Sequence, residues 1–178
     1  MKNQKVPTSC LAYLVFTIYI LASLTVMGQN TVPHQINTKE KVGWIPFDPL
    51  QDDSGFEVCD EYNIQEYYQV NPKYLEGSKS IKAYFKTANT NYRIPSSFSG
   101  FLTVRFVINC QGSIDRVRFK TVDQSYQSVE IKIDTETVKK SLKNMGKWTP
   151  GAVDGVTYDC YKHIVFKVTN GEISDIIG

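Results

Sequence analysis

The sequence is poor in the residues that most often carry chemistry. Only two histidines occur among 178 residues, His34 and His163, and neither sits in an H-x-x-H pair. There is no C-x-x-C pair, Gly-rich phosphate loop or nucleophile elbow. A zinc centre, a nucleotide cradle and an acyl-transfer triad therefore all lack their usual parts. The acidic pairs Asp52-Asp53 and Asp60-Glu61 are sequence neighbours, which do not generally face one site, and they read as solvated loop charges. The chain reads as a non-enzyme with no cofactor and no metal. Charge of one sign is also lacking: 20 Lys and Arg against 18 Asp and Glu leave +2, too little to imply nucleic acid as a partner.

What the chain does have begins with one long apolar run, residues 11–27, behind Lys2 and Lys5. It ends in the small-residue step Val26-Met27-Gly28, which makes residues 1–28 a secretory signal peptide. An uncleaved inner-membrane anchor is the alternative, because the run has about the minimum length of a membrane span. Cleavage removes both lysines and no acid, so the net charge falls from +2 to zero. The expected location is the periplasm or outer cell envelope. Cys59, Cys110 and Cys160 then remain, enough for one disulfide and one free thiol.

Residues 30–53 read as an extended lead-in, and the Tyr-rich stretch 56–70 as a short strand or irregular packed segment. Residues 76–88 carry Ile81, Tyr84, Phe85 and Ala88 on one helical face. Residues 101–110 alternate as a strand, Gln111-Gly112 turns the chain, and residues 113–122 return, a β-hairpin. A second helix spans 134–145, with Asp134 at its start and Gly146 after its end. Residues 158–169 form a third strand, and Asn170-Gly171 signals a further hairpin into residues 172–177. The order α-β-β-α-β-β predicts an α+β fold. Its antiparallel sheet has three to four strands in the order 2-1-3-4, with two helices packed on one face. Cys110 and Cys160 then lie on adjacent strands as a candidate disulfide, with Cys59–Cys110 as the other pairing.

The pattern resembles the TonB C-terminal domain family over residues 76–178, in the manner of small exported Bacteroidetes members. The resemblance rests on Gly100-Phe101-Leu102-Thr103-Val104-Arg105-Phe106-Val107-Ile108, then Gly112-Ser113-Ile114-Asp115-Arg116-Val117, then Trp148-Thr149-Pro150. It divides the chain into a signal peptide at 1–28, an extension at 29–75 and the domain at 76–178. It implies a module that adds an extended protein segment to a sheet edge, in TonB-type transport. The partner would be an outer-membrane receptor or another envelope protein. Candidate edge residues are Tyr161, His163, Val165, Lys167, Ile173 and Ile176, and the same edge would serve a homodimer. A second reading uses Arg105, Arg116, Arg118 and Lys120, with His163 and Lys167, as an open basic sheet face for an anionic or glycan ligand. A membrane enters only through an uncleaved N-terminal segment.

Overall fold

The computed structural model describes residues 43–88, 92–146 and 148–177. The apolar run and most of the lead-in lie outside the described residues, as does His34. Every described residue belongs to the compact unit Gln35–Gly178. No helix among them is long and apolar enough to cross a membrane.

The fold is α+β. The hairpin alternation produces β3 (Gly100–Ile108) and β4 (Ile114–Asp123). Cys160–Thr169 forms β8 on the other side of β3, with Val104 opposite Ile164. Asn170 and Gly171 both take positive φ, 51° and 78°, as a two-residue hairpin turn requires. They return the chain into β9 (Glu172–Ile177), antiparallel to β8.

The sheet is nevertheless mixed, not purely antiparallel. Gln65–Glu66 forms a two-residue strand, β1, parallel to Cys160–Tyr161 of β8. Short pairs flank the sheet: β2 (Lys73–Tyr74) with β5 (Trp148–Thr149), and β6 (Gly151–Val153) with β7 (Val156–Tyr158). Two longer helices and one single-turn helix, α1 (Tyr67–Val70), complete the described elements.

Both longer helices cover one face. From α2 (Ser78–Ala88), Ile81 and Phe85 join the core cluster that holds Leu102, Val104 and Phe166, with the Phe85 ring 4.9 Å from that of Phe166. From α3 (Thr135–Asn144), Val138 and Leu142 join the same core. Asp134 caps α3 by accepting a hydrogen bond from the Thr137 N–H at 3.0 Å. Trp148 is buried against Tyr74 and Phe106. Gly112 belongs at its turn for two reasons: φ is +85°, and a Cβ there would stand 2.3 Å from the Trp148 carbonyl oxygen.

Candidate functional site

The second face of the sheet carries the residues expected to form an open basic surface, and part of that face is closed. Residues 43–66, here called the strap, run across it. Ile45 and Ile64 from the strap pack with Val107 and Tyr161 in a second apolar cluster. Burial pushes the Tyr161 phenol up to about 12.

The guanidinium groups bind the strap. Arg116, 4 % exposed, grips Glu61 through both terminal nitrogens at 2.8 and 2.7 Å. Arg118 grips Asp52 in the same two-pronged way at 2.7 Å and also donates to the Pro46 carbonyl. Paired planar forks of this kind are the strong form of charge-assisted hydrogen bond. Arg105 donates to the Gly43 carbonyl at 2.8 Å and stacks over the Tyr161 ring. Lys120 remains exposed. The structure therefore corrects two readings. Arg105, Arg116 and Arg118 do not form a solvated face, and Asp52, with its side chain 1 % exposed, is not a solvated loop charge.

A bulge brings these charges together. Opposite Phe106 the register slips by one residue, so Arg105 faces Arg118 but Val107 faces Asp115. Arg116 sits in the bulge at φ +53°. The slip turns Ile114 to the helix-side core and Asp115 towards the strap, exchanging the faces that strict alternation assigns. Asp115 accepts the Asp53 N–H at 2.7 Å and pairs with Lys143 at 3.0 Å.

Further clamps act at the other end of the strap. The Asn109 side chain donates to the Glu57 carbonyl and accepts from Gln111 and Ser113. Asp159, 2 % exposed, accepts from the Cys110 and Asp60 backbone N–H groups at 2.8 and 2.7 Å. Between those two donors lies the disulfide, which joins Cys59 to Cys110 with Cα atoms 6.1 Å apart. The Cys110–Cys160 candidate is thereby overturned. Strand β3 stops at Ile108, which is the residue opposite Cys160, and Cys110 already lies in the turn. Cys160 is a free, buried thiol pushed up to about 11 by burial.

The candidate edge residues are dispersed. Tyr161 is buried beneath the strap, and Ile173 is buried in the helix-side core. Tyr161, His163, Val165 and Lys167 belong to β8, which is an inner strand: β3 lies on one side, and β1 and β9 share the other. Val165 and Lys167 pair with Ile177 and Asp175 of β9, and Ile176 is half-buried. His163 packs edge-on against Tyr67, ring centres 5.0 Å apart. Burial first, then the Lys162 and Arg105 charges, lower its pKa.

The two sheet margins differ. Beside β4, Ser128 bridges Val122 and the Val129 N–H donates to the Thr121 carbonyl, so that margin is partly covered. The outer side of β9 has no strand partner among the described residues. Comparison with family models, with curated proteins and with solved structures found no match.

Proposed function

We propose that the chain is an exported, non-enzymatic interaction module that captures an extended segment of an envelope protein along the outer side of β9. The supporting observation is that unpaired side. Such an edge offers backbone donors and acceptors for affinity and alternating side chains for selectivity. Ile177, 55 % exposed, and the exposed Glu172 and Ser174 lie on this strand. The partner reading, an outer-membrane receptor in TonB-type transport, rests on the resemblance of residues 100–108, 112–117 and 148–150. The alternative basic-face ligand would have to displace Asp52 and Glu61 from their guanidinium partners.

The test is an amide NMR titration of residues 29–178 with extended peptides from the N-terminal segments of host outer-membrane receptors. Saturable shifts along Glu172–Ile177 are the expected outcome. Shifts centred on Arg116 and Arg118 instead, or none at millimolar peptide, would remove the edge reading.

A further inference from the structure

The outer side of β8 is covered at both ends but not between them. β1 pairs with Cys160 and Tyr161, and β9 begins its pairing at Val165. Lys162, His163 and Ile164 have no strand partner on that side among the described residues. At this gap, on the helix side of the sheet, lies a cavity of about 210 Å³. Lys79, Lys82 and Lys162 supply its charge, and Ile81, Ile164 and Ile176 supply its apolar wall.

The ammonium groups are not equivalent. Lys82 pairs with Asp175. Lys79 is exposed and Lys162 half-buried, and among the described residues neither is ion-paired. The Lys162 ammonium lies 4.9 Å from the centre of the Tyr67 ring. Such a ring solvates a cation without neutralising it. Burial of this ammonium lowers its pKa, so a bound anion would relieve the cost of keeping it charged. The isoleucines favour an apolar group, and the lysines favour an anion. The volume equals about seven water molecules and falls short of the space a drug-sized ligand fills.

We propose that this cavity binds a small amphiphilic carboxylate, its short apolar chain on Ile81, Ile164 and Ile176 and its anionic head on Lys162 and Lys79. The Ser78 hydroxyl, also on the cavity wall, is a further donor for the head. The proposal does not depend on the edge reading, because the cavity lies between α2 and β8 rather than along the free side of β9.

Hexanoate is the probe, with hexanol and acetate as partial mimics, in an amide NMR titration of residues 29–178. The expected result is saturable shifts at residues 78–82, 162–164 and 176, with hexanol and acetate each about tenfold weaker. Lys162→Gln should weaken hexanoate about tenfold while leaving hexanol unchanged. Because Lys162 touches Tyr67, the exposed Lys79→Gln provides a second variant that leaves this packing intact. Equal binding of hexanol and hexanoate would overturn the proposal, as would hexanoate binding unchanged in both variants. A dipeptide with a free leucine carboxylate, run beside its amide, separates a protein chain end from a free acid as the source of the head group. Failure here with shifts still seen on β9 would leave the edge reading untouched.

Discussion

At Asp52 burial and pairing pull in opposite directions. Burial acts to raise its carboxyl, but the hydrogen bonds from Arg118 and the Asp48 N–H, with the nearby guanidinium charges, hold it below its ordinary value. Arg118 is raised by the same contact, so the two partners agree. His163 is also held low, by burial and by Lys162 and Arg105. A depressed pKa means that the unfolded chain takes up its proton at higher pH than the folded one. Each group therefore contributes stability above its ordinary pKa and loses it as the pH falls. The loss should begin near pH 6.5 for His163 and near 3.8 for Asp52, where Asp134 and Asp175 are lowered as well. Urea midpoints measured from pH 8 to 3 should decline in two stages. Asp52→Asn should shrink the second stage and cost about 1–3 kcal/mol at pH 7. A midpoint that rises on acidification would contradict this account.

The strap is the element on which the second face depends. Its disulfide closes a loop with a sequence separation of 51 residues, and loss of such a link costs about 2–4 kcal/mol. In the Cys59→Ser/Cys110→Ser variant, amides of residues 43–66 should exchange before those of β3 and β8. Unchanged exchange would show that Arg116, Arg118 and Asp159 hold the strap unaided. The strap was also what the sequence concealed. Strands β3 and β8 were legible because Leu102, Val104 and Phe106, like Ile164, Phe166 and Val168, recur every second residue. The cap at Asp134 and the turn at Asn170-Gly171 are local signals. The strap instead joins positions far apart, Glu57 with Asn109 and Asp60 with Asp159, and no period marks such pairs. One trace of the bulge was present: Ile114 is apolar but out of step with Val117 and Phe119. The Cys110–Cys160 candidate treats Cys110 as a strand residue, although the strand ends two positions earlier; of the two pairings open from the sequence, Cys59–Cys110 is the one that forms.

For the whole molecule, residues 43–75 belong to the same folded body as the rest. Ile45, Ile64, Val70 and Tyr74 are buried. A chain limited to residues 76–178 should therefore expose Val107 and Tyr161 and leave Arg116 without Glu61. Buried charge stripped of its partner is among the costlier losses in a fold. Residues 43–178 should unfold in one cooperative transition, and residues 76–178 should give a broad transition or none by circular dichroism. A sharp transition at an equal midpoint would show the strap to be an accessory.

The parallel pairing of β1 with β8 also imposes an order of events. Gln65 waits for Cys160, so this segment of a growing chain cannot settle until residue 160 has been made. Cys59 and Cys110 emerge well before that, and about 3–10 s of synthesis separates Cys110 from Cys160. Among Cys59, Cys110 and Cys160, the native sulfur pair is thus the first available to an oxidant. By the time Cys160 arrives, Cys59 and Cys110 can already be joined, and the closing sheet buries the remaining thiol.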